Sequence, residues 1–396
     1  MDTFREHFSN KPLLTFMAGH FTVDMQGGIL PVLYPLMASE FNLEYAQVGV
    51  VALGYTSAAS LSQPGFGYLA DRFGSRYFAV LSLMWSAMIV GFIGFAPSFA
   101  VLMFLAILAG LGSGAYHPQG ASNASAAAGD KRRNSALALY TVGGTFGYSL
   151  GPVLGAAAFL ALGRYGTIFF LPFGTTVAFL MWRQLGRLGL GVARHEAAER
   201  AKQTAIVWKP LLLILSVVML RSWVFSATIA FIPLWFDEQG FSSGFYASLT
   251  TLVLAAGAGG TLLGGILADR FGQRMILMVS MTLSIPFLLC FAAFPGWQSL
   301  FFGPMFAFLA DMGISVTLVA AQRMLPGRVG VASGFILGIG FVTGGIGVPV
   351  TGVLAGWFSM STALMLNSVL MAAAVLVVLL IPRAALTAPQ TAASPA

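Results

Sequence analysis

The decapeptide Gly67-Tyr68-Leu69-Ala70-Asp71-Arg72-Phe73-Gly74-Ser75-Arg76 occurs again as Gly265-Ile266-Leu267-Ala268-Asp269-Arg270-Phe271-Gly272-Gln273-Arg274. The copies stand 198 residues apart in a chain of 396. Each lies between two long apolar stretches. Solenoid repeats have periods of about 20–50 residues, so this spacing implies one duplicated domain instead. A duplicated set of apolar helices is the usual plan of a secondary transporter.

The residues around the repeat exclude a soluble fold. Hydrophobic types make up 58% of the chain and charged types 8%, against about 25% charged in a soluble domain. The chain therefore reads as an integral membrane protein, in contact with lipid. The 47 glycines suit close helix packing in a bilayer. The net charge of +7 does not point to nucleic acid, because the charges fall in short loops between apolar runs. The first apolar run follows Asp2, Arg5, Glu6 and Lys11 without a small-residue cleavage site, so it reads as a retained span that also targets the chain. The single cysteine, Cys290, sits in an apolar run and reads as a small core residue. Neither a metal nor a cofactor is expected.

A membrane-spanning helix needs about 20 apolar residues. Twelve stretches qualify: 13–36, 46–69, 78–96, 99–122, 135–161, 166–184, 210–236, 246–268, 276–294, 298–322, 330–356 and 361–382. The fold class expected is all-α, with twelve transmembrane helices in two pseudo-symmetric six-helix bundles. Residues 1–184 form the first bundle and 210–382 the second. Residues 185–209 are a polar cytoplasmic linker, whose run from Val192 to Ile206 is either an interfacial helix or plain linker. Residues 383–396 are a disordered tail rich in Ala, Thr and Pro. With both termini in the cytoplasm, 18 of the 20 Lys and Arg residues fall on the cytoplasmic side. Arg164 alone lies outside and Arg221 alone lies within a span. This is the positive-inside pattern. The location expected is the bacterial inner membrane.

The twin Gly-x-Leu-Ala-Asp-Arg-x-Gly-x-Arg loops, one per half, resemble the signature between the second and third helices of the major facilitator superfamily. Ser75 and Gln273 stand where that pattern often has a further basic residue. The resemblance implies alternating access by a twelve-helix transporter. A narrower likeness rests on His20-x-x-x-Asp24 leading to Pro31 and Pro35, on Gly110-Leu111-Gly112-Ser113-Gly114-Ala115-Tyr116-His117-Pro118, and on Arg221 with Phe231-Ile232-Pro233-Leu234. These are similar to the fosmidomycin-resistance group of drug exporters. That likeness implies export of a small polar or anionic compound in exchange for protons.

Polar groups at mid-membrane are costly and are functional candidates. Asp24 lies near the middle of the first span, with His20 four residues earlier on the same face. Burial and a neighbouring imidazole act in opposite senses on such a carboxylate. The pair can thus load and release a proton; the alternative is a locked pair that packs helices. Arg221 lies mid-span in the seventh stretch and Asp311 mid-span in the tenth. Arginine stays ionised and needs an anion. Either the two form a permanent ion pair, or Arg221 meets an anionic substrate with Asp311 beside it. His117, before the bend-forming Pro118, and Gln119 are candidate substrate contacts, with Tyr34, Tyr116 and Trp223. Gly143-Gly144-x-x-Gly147-x-x-x-Gly151-Pro152-x-x-Gly155 puts glycines on one helix face, with Pro152 adding a bend. This run resembles the antiporter signature of the superfamily, which favours export.

The repeated loops read as gates. Asp71 and Asp269 can dock on the positive end of a helix from the other half. Gly67, Gly74 and Gly272 permit the tight approach. Arg72, Arg76, Arg270 and Arg274 can pair acids or lipid phosphates. The partners expected are protons and a small-molecule substrate, with the chain acting as a monomer. A symporter importing an organic anion or sugar would use the same parts. A membrane sensor or enzyme finds no soluble domain, nucleotide loop or nucleophile set to support it.

Overall fold

The computed structural model describes residues 9–43, 45–73, 75–128, 132–188 and 208–386. Gly74, Lys131, the linker from 189 to 207 and the tail from 387 lie outside the described residues, as does the side chain of Arg76. The choice between linker and interfacial helix over 192–206 therefore falls outside them too. All regular structure among the described residues is helical.

Nine helices carry the first half and the entry to the second. They are α1 (Lys11–Phe41), α2 (Tyr45–Leu61), α3 (Gln63–Phe73), α4 (Ser75–Ile93), α5 (Phe99–Ala128), α6 (Arg133–Leu162), α7 (Phe170–Leu188), α8 (Trp208–Glu238) and α9 (Ser243–Phe271). The rest are α10 (Gln273–Ala293), α11 (Ser299–Asp311), α12 (Ile314–Met324), α13 (Val329–Trp357), α14 (Met360–Leu380) and the short α15 (Arg383–Leu386). A 3₁₀ segment, Gly163–Phe169, joins α6 to α7. Eight helical stretches among the described residues are long and apolar enough to cross a membrane. This is an all-α, multi-pass membrane protein.

Two of the expected spans are broken. The stretch 46–69 divides into α2 and α3 at Ser62. Pro64 lacks the N–H that would continue the ladder, and a proline is tolerated in the first turn of a new helix. The Ser62 hydroxyl donates to the Ala58 carbonyl at 2.6 Å, occupying an acceptor near the break. The stretch 298–322 divides into α11 and α12 at Met312-Gly313. The break follows Asp311 directly, and the Thr261 hydroxyl donates to the Asp311 carbonyl at 3.2 Å.

The helices pack into two compact units. The first takes the chain up to Ala128, then from Leu139 to the linker, and Leu325–Val342. The second takes the chain up to Ala138 from the preceding loop, Ile206–Met324, and the chain from Thr343. The starts of α6 and α13 thus belong to units other than those of their remainders.

Within the first unit α5 is central, packing on α1, α2, α3 and α4. Its apolar core joins Met25, Ile29, Leu30 and Leu33 of α1 to Leu102 and Ala106 of α5. The glycines of α6 meet the backbone of α1: a methyl at Gly147 would strike the Phe21 carbonyl, and one at Gly151 would lie 2.5 Å from the Met25 carbonyl oxygen. The spacing of four that marks these glycines in the sequence is therefore a helix-contact stripe. In the second unit α9 packs on α11, and α14 packs on α8 and α10. Its core joins Trp235 and Phe236 of α8 to Leu249, Phe291 and Leu364.

Gly272 separates α9 from α10 at φ +90°, ψ 149°. That conformation is essentially glycine-only and costs a side chain about 1–3 kcal/mol. Gly272→Ala is expected to lower stability by that amount without filling any occupied space, since nothing lies within 4 Å of the added methyl. A melting curve of the purified variant in detergent checks it.

Candidate functional site

Asp24 is the centre of a polar cluster inside the first unit. It sits midway along α1, and His20 one turn earlier brings its Nε2 to 3.2 Å from Asp24 Oδ2. His117, from α5, brings its Nε2 to 3.0 Å from Asp24 Oδ1. The two imidazoles meet edge to face, with centroids 5.0 Å apart. Both histidines are buried, while the Asp24 side chain keeps 20% of its surface exposed.

Each ring is fixed from behind. His20 Nδ1 lies 2.8 Å from the Tyr140 carbonyl oxygen, and the ring stacks on Tyr140 at 4.1 Å. His117 Nδ1 lies 2.7 Å from the Ser113 carbonyl oxygen, one turn earlier on α5. A carbonyl only accepts, so each Nδ1 carries the hydrogen, and each Nε2 is turned to the carboxylate. The Tyr140 hydroxyl donates to the His117 carbonyl at 3.2 Å. Gly144 of α6 leaves the space the cluster occupies, since a methyl there would lie 2.5 Å from His20 Nε2 and against Asp24 Oδ2. These three residues are the one group of His, Cys, Asp and Glu side chains among the described residues compact enough for a metal ion, with donor atoms within 4.8 Å. The nitrogen–oxygen separations are already those of hydrogen bonds.

The second unit holds a buried ion pair. Arg221 of α8 lies 2.7 Å from Asp311 Oδ1, with side chains 11% and 7% exposed. The same guanidinium donates to the Ser222 hydroxyl at 3.2 Å. Asp311 closes α11 at the break, and Gly257 of α9 leaves room for its carboxylate, which a methyl there would approach to 2.5 Å. Glycine thus makes space for the buried acid in both units.

Tyr116 is fully buried and donates to the Phe16 carbonyl at 2.8 Å. Tyr34 is partly buried against the core of the first unit. Gln119 is fully buried and donates to the Phe66 carbonyl at 3.2 Å. Trp223 of α8 donates from its indole to the Thr351 hydroxyl at 3.3 Å and packs on Gly347 of α13. Arg221, Asp311 and Trp223 belong to the second unit; His20, Asp24, Tyr34, Tyr116, His117 and Gln119 belong to the first. Sequence reasoning missed Tyr140 and Gly144 as parts of the Asp24 cluster. The glycine run of α6 was the signal that could have found Gly144.

Both repeated loops end on helix N-termini. Asp71 accepts from the backbone N–H groups of Gly330 and Val331 at 3.0 and 2.9 Å, at the start of α13 and within the first unit. Asp269 accepts from the N–H groups of Asn134 and Ser135 at 3.2 and 2.9 Å and from Asn134 Nδ2 at 2.7 Å, at the start of α6 and within the second unit. The first N–H groups of a helix have no partner in the helix itself, and its dipole favours an anion there. Gly67 lets the backbone of α3 come against Gly330 and Val331, as Gly265 lets that of α9 come against Asn134. Gln273 donates to Asn134 Oδ1 at 2.9 Å, so a neutral amide pairs where a basic residue is common in the superfamily pattern. Arg72 and Arg270 lie over the neighbouring rings of Phe73 and Phe271. Arg274 donates to the carbonyls of Ile381 and Leu379, at the end of α14. Asp269→Ala is expected to cost about 1 kcal/mol, as for loss of a helix cap, and Asp269→Asn less; thermal unfolding of the two variants side by side checks the order.

A family profile, that of the Major Facilitator Superfamily, matches residues 16–262 and 214–396. The chain is 31% identical over 354 residues to the uncharacterized MFS-type transporter YfnC of Bacillus subtilis, covering 85% of this chain and 84% of that one. It is 28% identical over 347 residues to the fosmidomycin resistance protein of Escherichia coli, covering 85% and 84%. It is 27% identical over 267 residues to the probable sulfoacetate transporter SauU of Cupriavidus necator, covering 62% and 61%. Its fold matches the crystal structure of the superfamily transporter FucP in the outward conformation with a TM-score of 0.77, at 13% identity, over 94% of this chain and 99% of that one. The chain belongs to the Major Facilitator Superfamily. It is a secondary transporter of a small molecule in the bacterial inner membrane, and not an enzyme.

Proposed function

We propose that this chain carries a small organic anion into the cell together with protons. The parts are two six-helix halves, 1–184 and 210–382, in a twelve-span arrangement with both termini cytoplasmic. The chain works as a monomer. Asp24 with its histidines takes the proton, and Arg221 takes the anion with Asp311 beside it. Asp71 and Asp269 hold the cytoplasmic side shut by capping α13 and α6, and release them when the halves rock.

The observation that carries the reading is that the two buried charged sites share no residue and lie in separate units. Symport needs both ligands bound in one state, whereas exchange is most simply built by competition for one site. Arg221 supplies the charge that an anion requires. Similarity to the probable sulfoacetate transporter points to the same substrate class.

A second reading, proton-driven export of a drug such as fosmidomycin, is favoured by the match to the fosmidomycin resistance protein along 85% of the chain. The glycine stripe of α6 suits it as well. Right-side-out membrane vesicles separate the two. An inward proton gradient is expected to drive uptake of the transported member of a panel of labelled carboxylates, sulfonates and phosphonates. Uptake only into inside-out vesicles with protons leaving would establish export instead.

A further inference from the structure

We propose that His117 is a second proton carrier, so that Asp24, His20 and His117 together hold two transferable protons. The inference rests on the proton-coupled reading above and deepens it.

The argument is a count of hydrogens. Both Nδ1 atoms donate to backbone carbonyls, at 2.8 Å for His20 and 2.7 Å for His117. In a neutral imidazole the other nitrogen, Nε2, then carries only a lone pair. Each Nε2 faces a different oxygen of one carboxylate, at 3.2 and 3.0 Å. An ionised carboxylate is acceptor-only. With no added proton, both contacts set lone pair against lone pair. One added proton repairs one contact and leaves the other repulsive. Two added protons, one in each contact, make both of them hydrogen bonds. The arrangement fits the doubly loaded cluster, with a hydrogen on each Nε2 and the carboxylate accepting both.

The two contacts differ in what they join. His20 and Asp24 are one turn apart on α1, and His20 is also stacked on Tyr140. Loss of that proton disturbs one helix. His117 reaches Asp24 from α5, and Phe341 of α13 meets its ring at 6.3 Å within the first unit. Loss of the proton between His117 and Asp24 therefore sets α5 against α1, beside the helix whose N-terminus Asp71 caps. The groups facing the carboxylate from the surrounding helices are Tyr55 of α2, Tyr116 of α5, and Tyr140 and Tyr148 of α6. Its charged neighbours are His20 and His117. The protons therefore belong to these three side chains.

The test needs no substrate. The full chain, labelled with ¹⁵N-histidine and held in lipid nanodiscs, is titrated from pH 9 to pH 5 while the imidazole shifts are followed. It has four histidines, and the signals of His20 and His117 are assigned by their loss in H20Q and H117Q. Both Nε2 shifts are expected to move to the protonated position while both Nδ1 atoms stay protonated throughout, and D24N is expected to move both titrations. Proton uptake per chain in the same range is expected to fall by about one in H117Q. A His117 Nε2 shift that stays flat while that of His20 moves would overturn the proposal, and so would unchanged uptake in H117Q. If H117Q does not fold, the His117 signal is assigned as the one that survives in H7Q, H20Q and H195Q, and the wild-type titration with D24N as comparison still decides. The proton-coupled reading fails separately, when D24N leaves gradient-driven transport intact.

Discussion

Arg221→Met is expected to destabilise the protein by about 3–5 kcal/mol, because it leaves Asp311 as an unpaired buried charge. The two side chains are 11% and 7% exposed and their charged atoms lie 2.7 Å apart. The reverse deletion, Asp311→Leu, strands the guanidinium and should cost a comparable amount. The double variant removes both charges. Replacing a buried ion pair by apolar groups of similar volume is often neutral or stabilising, so most of the lost stability should return. Thermal unfolding of the three variants gives the cycle. The double variant also separates structure from function. If Arg221 holds the substrate, that protein will be stable and will not bind or carry the anion. If the pair only braces the second unit, the double variant will transport.

Gly147→Val is the other substitution with a large expected effect. The added atoms would meet the carbonyl and Cα of Phe21 on α1, which are backbone and cannot swing away. Overpacking of this kind costs about 1–3 kcal/mol and occasionally more. Here it also pushes α6 from the helix that carries Asp24, so proton binding should fall with stability. Gly345→Val, also in a helix, is the control, since the added Cβ meets nothing within 4 Å. Gly155→Ala falls between, since its methyl would lie 3.3 Å from a side-chain carbon of Ile29. Folded yield and melting temperature should rank Gly345→Val above Gly155→Ala, and both above Gly147→Val.

The apolar stretches were legible because a bilayer sets a minimum length for each. Their breaks were not. Pro64 and Gly313 sit inside stretches long enough to read as single spans, and a break there depends on neighbours that supply hydrogen bonds, such as Thr261. Asp24 and His20 were legible as one cluster because they are one turn apart. The third member was not, since 93 residues separate His117 from Asp24 and only the packing of α5 on α1 joins them. Asp71 and Asp269 announced an anion at a loop end. Which helix each would cap depends on tertiary structure alone. Tyr116 and Gln119 looked like cavity residues because they are polar in an apolar run. In the fold the Tyr116 hydroxyl and Gln119 Nε2 donate to carbonyls of neighbouring helices.

The central claim is that protons move through Asp24 to drive the substrate. The most direct measurement is gradient-driven uptake into right-side-out vesicles, wild type against Asp24→Asn, with the substrate found by the anion panel. The wild type should accumulate substrate above its outside concentration under an inward proton gradient, and lose that accumulation when a protonophore collapses it. Asp24→Asn should equilibrate the substrate without accumulating it, with or without the gradient. Accumulation by Asp24→Asn at the wild-type level would contradict the account.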